Sequence, residues 1–295
     1  MRMMGLMTAL VTPFRDDRVD ESALRALVKH QIRGGVEVLV PCGTTGESVT
    51  LSLEERRQVI ALTLEAADGL VPVVAGVGSN DTRATIEAAR QAEALGAAGV
   101  LVVTPYYNKP TQEGLFRHFC AVAEAISIEV CLYNVPGRTG VHLEPATVER
   151  LTAVSNITAI KEATGNMMVA SEILLRCGDR IALLSGDDFT ALPFLALGGR
   201  GVISVASNVV PDRMSDLVMA GMAGAFESAR RIHLELYPLF QALFVESNPI
   251  PVKAALAMMG MMSGELRLPL CDGREEHRAQ LRTVLAHLGL LGSQA

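Results

Sequence analysis

The sequence of 295 residues contains no tryptophan and only four tyrosines, and aromatic residues make up 4% of the chain. Proteins that bind single-stranded nucleic acids stack bases on aromatic side chains and line their grooves with positive charge. This chain has a formal net charge of −6 and no run rich in lysine or arginine. The composition therefore argues against a nucleic-acid-binding surface.

Long apolar runs and paired cysteine motifs are also missing. No uninterrupted apolar segment approaches the roughly 18 residues that a membrane-spanning helix requires. We interpret the apolar stretch 1–11 as a first strand and not as a leader peptide. The five cysteines are widely spaced, and none forms a C-x-x-C pair. This pattern is typical of reduced thiols in a cytoplasmic protein, and it predicts neither a disulfide framework nor a metal site.

What the sequence does contain is an alternation of short apolar runs with amphipathic stretches. Eight runs recur about every thirty residues, and most are continuously apolar, as expected for strands that are buried on both faces. They cover residues 5–14, 36–42, 71–77, 99–105, 129–135, 157–163, 181–187 and 201–207. Eight strand–helix units predict an α/β protein with a (β/α)8 TIM barrel, and a doubly wound open sheet is the alternative.

Helix signals fill the gaps between these runs and then dominate the C-terminal part. Ser52 and Glu55 predict a capping box at the start of one helix, and Pro145 occupies a position typical of a first helical turn. Beyond residue 210 the pattern is helical only, over residues 214–245, 252–262 and 275–288. We therefore predict a barrel catalytic domain at 1–224 and a C-terminal helical domain at 225–295.

A lysine, Lys161, stands near the end of the sixth apolar run. Burying an ammonium group is costly, and burial favours the neutral amine, which can attack a carbonyl carbon and form a Schiff base. On this stretch alone, a lysine that ends an edge strand and points to water is an equally good interpretation. Glu162 should face the other side of the strand, so we assign it no catalytic role.

Polar side chains follow the other runs as well, at the ends where barrel enzymes carry their catalytic residues. The loop after the second run opens near a helix start, where free N–H groups bind carboxylates, and Arg138 offers a planar fork for a second one. The combination predicts a site for an anionic carbonyl substrate without a metal. Each part also has a structural alternative: the loop is an ordinary turn, Tyr133 a packed phenol, and Arg138 a surface residue.

Together these motifs resemble the dihydrodipicolinate synthase family, within the wider N-acetylneuraminate lyase family of class I aldolases. The resemblance spans essentially the whole chain. It rests on G-T-T-G-E at 43–47, T-P-Y-Y-N-K-P at 104–110, Y-N-V-P-G-R-T at 133–139, I-K-E-A-T-G at 160–165, S-G-D-D at 185–188, I-S-V-A-S-N at 203–208 and N-P-I-P-V-K at 248–253. Arg138 marks the synthase branch, because the lyases that act on sialic and sugar acids generally lack this arginine.

The resemblance implies that a lysine of the chain is the catalytic group and that the enzyme needs no separate cofactor. Lys161 would form the Schiff base with pyruvate, and Tyr133, Thr44 and Tyr107 would relay protons. Tyr107 would reach into the site of a neighbouring subunit. The resemblance further implies that this chemistry takes place in a cytoplasmic homotetramer built as a dimer of dimers.

The substrate contacts also follow from the resemblance. Thr45 would hold the carboxylate of pyruvate, and Arg138 would receive the carboxylate of L-aspartate 4-semialdehyde. Gly186 and the carbonyl of Ile203 would shape the pocket around the lysine. The product would be 4-hydroxy-tetrahydrodipicolinate, on the route to diaminopimelate and lysine.

One departure from the family concerns regulation. Ser48, Asn80 and Tyr106 match an effector pocket for lysine, but Arg56 and Ala84 replace the histidine and glutamate of lysine-inhibited members. We therefore predict weak or absent inhibition by lysine.

Two alternative functions remain open. The first is a related pyruvate-dependent lyase that acts on a 2-keto-3-deoxy sugar acid or hydroxy-ketoglutarate. The second is a non-catalytic regulatory paralogue that keeps the barrel and binds a keto acid.

Overall fold

A computed structural model describes residues 3–291, and it shows a barrel of eight parallel strands. The strands are hydrogen-bonded in the spatial order β2-β1-β8-β7-β6-β5-β4-β3, and a parallel bridge between Leu39 and Val73 links the two ends. They span β1 Gly5–Ala9, β2 Val38–Val40, β3 Val74–Gly76, β4 Gly99–Val103, β5 Glu129–Asn134, β6 Ile157–Glu162, β7 Ala182–Ser185 and β8 Gly201–Ser204. The predicted (β/α)8 TIM barrel is confirmed.

The strands separate two apolar cores, which explains why the runs look continuously hydrophobic. Side chains such as Met7, Leu101 and Leu184 fill the barrel interior. Their neighbours along the strands, such as Leu6 and Leu183, pack outward against the helices. Because alternate residues point to opposite faces of a strand, both faces are buried here.

Helices surround the barrel and begin and end at the signals in the sequence. Ser52 and Glu55 form the predicted capping box of α2, and Pro145 is the first residue of α6. The helices span α1 Glu21–Arg33, α2 Leu53–Ala67, α3 Thr82–Leu95, α4 Gln112–Glu124, α5 Pro136–Thr139, α6 Pro145–Leu151, α7 Met167–Cys177, α8 Ala191–Ala196, α9 Pro211–Met222, α10 Phe226–Leu243, α11 Ile250–Met258 and α12 Glu275–His287.

The helix predicted over 252–262 ends early, at Met258, and two other predicted segments differ more from the structure. The first run, 5–14, is not one strand: β1 ends at Ala9, and a hairpin pairs Phe14–Arg15 with Arg18–Val19. Asp16 and Asp17, with φ of 52° and 57°, form its turn, as expected for a tight hairpin. The helical stretch 214–245 is interrupted after α9, because Gly224 adopts a φ of 75° that ends the helix.

The C-terminal helices pack on the barrel and on each other. Helix α10 contacts α9 and α12, and α11 contacts α12. The turn at Gly224 lies at the boundary that we propose between the catalytic domain, 1–224, and the C-terminal domain, 225–295. Residues 1–2 and 292–295 of these domains lie outside the described residues. No helix among residues 3–291 is long and apolar enough to cross a membrane.

The five cysteines are all free thiols. Cys42 and Cys131 are fully buried, and burial raises the pKa of each thiol to about 12. Cys177 is also buried, Cys120 is half-buried and Cys271 is exposed. Cys42 is therefore a small apolar residue of the core and not a reactive thiol, because a reactive cysteine needs an accessible thiolate.

Candidate active site

Lys161 lies on β6 with its side chain inside the barrel. It is 5% exposed, and its Nζ lies 4.4 Å from the centroid of the Tyr133 ring on the neighbouring strand β5. The two residues are paired in register across β5 and β6. Within the described part of the chain, Lys161 forms no ion pair. The prediction that this lysine is buried, and does not point to water, is confirmed.

Gly186 lies beside this lysine, whereas the predicted role of the Ile203 carbonyl stays a prediction. A Cβ atom at position 186 would lie 2.6 Å from Cβ of Ala163 and 3.1 Å from Cε of Lys161, so only glycine fits there without displacing the lysine. Ile203 is buried on β8 next to Met7 of β1. The amide of Gly186 donates to the carbonyl of Glu162 at 2.8 Å, which fixes the loop beside β6.

Glu162 is buried on the outer side of the barrel, as predicted from strand alternation. Its carboxylate accepts hydrogen bonds from Asn134 Nδ2 at 2.7 Å and from the amide of Thr164 at 2.6 Å. Glu162 thus links the end of β6 to the Asn134 side chain on β5 and to the loop that follows β6.

Thr45 and Arg138 meet through a residue of the C-terminal part. Asn248 donates from Nδ2 to Thr45 Oγ1 at 2.9 Å, and its carbonyl accepts from Arg138 Nη2 at 3.2 Å. Thr45 is buried, Thr44 is half-buried and Arg138 is exposed at the rim. The buried Oδ1 of Asn248 has no hydrogen-bond partner among the described residues.

Tyr107 is placed differently from the other predicted site residues. Its side chain is 88% exposed, so it does not pack into the site of its own chain. Its backbone has a φ of 70°, and its amide donates to the carbonyl of Thr139 at 3.4 Å. The loop therefore presents the phenol outward from the segment that carries Arg138.

The two aspartates of the S-G-D-D motif have different surroundings. Burial raises the pKa of Asp187, while the Phe189 amide and the charge of Lys161 oppose the shift. Burial raises the pKa of Asp188 to about 6. Asp188 Oδ2 accepts from the amides of Val205 and Ala206 at 3.1 and 2.9 Å. Asp188 thus ties the loop after β7 to the segment after β8.

The predicted effector pocket is changed by an arginine. Arg56 donates from Nε and Nη2 to the carbonyl of Ser48, at 3.1 and 2.6 Å. The carbonyl of Asn80 accepts from Asn108 Nδ2 at 2.8 Å, and the amide of Asn108 donates to the carbonyl of Tyr106. A guanidinium therefore lies beside Ser48 at the position where the family resemblance implies a histidine.

Sequence reasoning missed three residues that contact the site or its loops. They are Asn248, Asp188 and Lys253. Asn248 and Lys253 were visible only as members of the N-P-I-P-V-K motif, without a role. Lys253 carried one further signal, because a lysine inside the apolar helix segment 250–258 is unusual.

A cavity of about 640 Å³ lies elsewhere, at the amino-terminal ends of the strands, and its lining includes Met4, Thr158 and Arg200. It contains none of the predicted site residues. Catalytic residues of these barrels lie at the opposite, carboxyl ends of the strands, where Lys161 and its neighbours are found. We therefore take the rim around Lys161 as the candidate active site.

The chemistry of that site follows from its groups. A buried amine that has no carboxylate partner among residues 3–291, and that packs against a phenol ring, is suited to covalent attack on a carbonyl. The threonine loop and Arg138 offer two separate places for carboxylates. Among the described residues, no cluster of three or more His, Cys, Asp or Glu side chains could hold a metal ion.

Comparison with known proteins matches nearly the whole chain. The model of the dihydrodipicolinate synthetase family matches residues 2–288. The 4-hydroxy-tetrahydrodipicolinate synthase of Citrifermentans bemidjiense is 54% identical over 287 residues, which is 97% of this chain and 99% of that protein.

Solved structures give the same picture. The dihydrodipicolinate synthase of Aquifex aeolicus superposes with a TM-score of 0.97 at 44% identity, over 99% of this chain and 100% of that one. The chloride-inhibited dihydrodipicolinate synthase of Acinetobacter baumannii, in complex with pyruvate, gives a TM-score of 0.96 at 43% identity, over 98% and 100% of the two chains.

Proposed function

The chain belongs to the dihydrodipicolinate synthetase family, and on that premise we propose that it condenses pyruvate with L-aspartate 4-semialdehyde to 4-hydroxy-tetrahydrodipicolinate. The observation that carries this proposal is the buried amine of Lys161 against the ring of Tyr133. The enzyme is a lyase of the class I aldolase type in lysine and diaminopimelate biosynthesis. Its covalent group is a lysine imine, and it needs no other cofactor.

The reaction begins when the neutral amine of Lys161 attacks the keto carbon of pyruvate. Loss of water gives an imine, which withdraws electrons and makes the methyl protons of pyruvate removable. The resulting enamine attacks the aldehyde carbon of the second substrate. The amino group of that substrate then displaces Lys161 as the ring closes, which returns the free amine.

Proton transfer in these steps falls to hydroxyl groups. The ring of Tyr133 lies 4.4 Å from the amine, and we assign this residue the proton transfers at the imine and at the new alcohol. Thr44 and Tyr107 extend the relay towards solvent. A phenol can act as acid and base in a site of this kind without a histidine.

The two carboxylates are held apart by different elements. Thr45 and the backbone of its loop bind the carboxylate of pyruvate, and Arg138 binds that of the semialdehyde. Asn248, which contacts both residues, sets their separation. Gly186 leaves the space in which the lysine and its adduct lie.

The active form that we propose is a cytoplasmic homotetramer, a dimer of dimers in which Tyr107 completes the site of the partner. The 88% exposure of Tyr107 in the single chain supports this assignment. A phenol that serves the site of another subunit has to project from its own.

A related lyase for a sugar acid or hydroxy-ketoglutarate is the alternative. Arg138 argues against it, because a polyol substrate needs hydroxyl partners at the mouth of the site and not a guanidinium. Activity with aspartate semialdehyde, compared with activity on 2-keto-3-deoxy sugar acids, distinguishes the two functions.

Reductive trapping tests the proposed chemistry directly. Incubation with pyruvate and borohydride should add the mass of a reduced pyruvate adduct to the peptide that contains Lys161. The variant Lys161→Met should add nothing and should lose the condensation activity, while Lys29→Met, which removes an exposed lysine of α1, should still be labelled. A pyruvate adduct on a residue other than Lys161 would contradict the proposal.

We also propose that lysine inhibits this enzyme weakly or not at all. Arg56 places positive charge beside Ser48, and Ala84 provides no carboxylate for a ligand ammonium. Activity should therefore stay constant at lysine concentrations below the millimolar range. The double variant Arg56→His/Ala84→Glu should gain inhibition, and strong inhibition of the unmodified enzyme would show that the prediction is wrong.

A further inference from the structure

The chain buries a second lysine that the proposed reaction does not use. Lys253 on α11 is 0% exposed, and its Nζ donates to Glu47 Oε1 at 2.6 Å and to the carbonyl of Thr12 at 2.9 Å. The same Nζ lies 4.2 Å from the centroid of the Phe14 ring. A buried ion pair contributes little to net stability, because removing two charges from water offsets their attraction. Its presence here therefore calls for another explanation.

The position of Glu47 in the chain indicates that the ion pair holds the loop 43–47. It is the last residue of the loop 43–47, which carries Thr44 and Thr45, and it is 3% exposed. Its φ of 52° lies in the left-handed region, as does the φ of 57° at Cys42 just before the loop. Such backbone conformations are strained for residues other than glycine and persist only where surrounding contacts fix them.

The contacts that fix the loop come from two directions. The second carboxylate oxygen of Glu47 accepts from the amide of Arg267 at 3.1 Å, so the C-terminal part holds both oxygens. On the barrel side, Thr12 Oγ1 donates to the carbonyl of Gly46 at 2.7 Å. Lys253 joins the two sides, because it bonds to Glu47 and to the carbonyl of Thr12.

Helix α11 thus reaches the loop at two points. Asn248, two residues before the helix, contacts Thr45, and Lys253 within it contacts Glu47. We propose that Lys253 and Glu47 are positioning residues for pyruvate binding, which hold the loop 43–47 in the geometry that Thr44 and Thr45 need to bind a carboxylate. This inference rests on the proposed function.

The test compares variants that keep the volume of the pair but not its charge. Glu47→Gln/Lys253→Met removes both charges, so neither is left buried without a partner. Arg25→Met/Glu65→Gln is the matched control, since it removes an ion pair between α1 and α2 whose side chains are 33% and 66% exposed. Far-ultraviolet circular dichroism and thermal unfolding establish that each variant is folded.

The readout is the pyruvate concentration that gives half-maximal borohydride trapping, together with KM for each substrate. We expect the double variant to raise the half-saturating pyruvate concentration about tenfold or more, with a much smaller change in KM for the semialdehyde. The control should match the unmodified enzyme. A folded double variant with a lower unfolding temperature and unchanged pyruvate saturation would show a purely structural role and overturn the proposal.

Two further outcomes are separable. If the double variant does not fold, Glu47→Gln replaces it, because the amide has the same shape and keeps an acceptor for Lys253; the same shift is expected and its absence is equally decisive. If pyruvate does not trap the unmodified enzyme, the proposed function fails, but the positioning role of Lys253 and Glu47 is still open to test. A crystal structure of the Glu47→Gln variant then tests that role. A loop 43–47 that has not moved in this variant would contradict the positioning role.

Discussion

Lys161 and Lys253 show how neighbouring groups decide what a buried lysine does. Lys253 has a carboxylate 2.6 Å away, whereas Lys161 has the face of a phenol ring. The first is held by an ion pair, and we assign the covalent chemistry to the second. The stretch around Lys161 left two interpretations equally open, and only the whole set of motifs favoured a Schiff-base role. The role of Lys253 was not predictable, because its partner Glu47 lies 206 residues away in the sequence.

The carboxyl of Asp188 should make the free energy of unfolding depend on pH. Its pKa is about 6 in the fold and close to the ordinary value of 3.8 in an unfolded chain. As pH falls from 7 to 4, the folded protein therefore takes up this proton before the unfolded chain does. Acidification should stabilise the unmodified protein relative to Asp188→Asn, by roughly 3 kcal/mol at most.

Urea unfolding of both proteins at several pH values between 4 and 7 measures this difference. Because both share every other titrating group, their difference isolates the carboxyl of Asp188. If the difference in unfolding free energy between the two proteins stays constant from pH 7 to 4, or falls on acidification, the pKa of Asp188 is not raised in the fold.

At the scale of elements, local sequence signals predicted where helices start, but the sequence did not show where an apparently continuous strand or helix is interrupted. The capping box of α2 and Pro145 of α6 were found because both depend on residues close in sequence. The hairpin at Asp16 and Asp17 was missed, because two aspartates in the left-handed region replace the usual Asn-Gly or Asp-Gly. The break at Gly224 was missed because apolar residues continue at helical spacing on both sides.

The capping box of α2 should contribute measurably to stability. Ser52 Oγ accepts from the amide of Glu55 at 3.1 Å, and the Glu55 carboxylate accepts from the amide of Ser52 at 2.9 Å. Ser52→Ala should cost about 1 kcal/mol in the free energy of unfolding. Ser171→Ala, at an exposed position inside α7, is the control and should be neutral or slightly stabilising. Equal effects of the two variants in urea unfolding would contradict the capping argument.

At the scale of the whole molecule, one chain brings most of the site together. Lys161, Tyr133 and Gly186 come from neighbouring strands, and Thr45 and Arg138 meet through Asn248 of the C-terminal part. Barrel topology made the first group predictable, since strand ends share one rim. It could not predict Asn248, because nothing in the sequence says where the last helices pack.

Tyr107 allows a test of whether sites are shared between subunits. Lys161→Ala and Tyr107→Phe proteins, each inactive or weak, should regain activity when they are mixed and allowed to exchange subunits. In a mixed dimer, the subunit that keeps Lys161 receives an intact Tyr107 from its partner, so an equal mixture should reach roughly a quarter of unmodified activity. If Tyr107 serves its own chain, the mixture should show only the sum of the two parental activities.

The distribution of thiols has a practical consequence. Four cysteines are wholly or partly shielded, and burial keeps Cys42 and Cys131 protonated at any physiological pH. A mild alkylating dye should therefore attach first at Cys271, in the segment that joins α11 to α12. The native chain thus carries its own labelling handle, from which fluorescence can follow the C-terminal helices during turnover without any engineered cysteine.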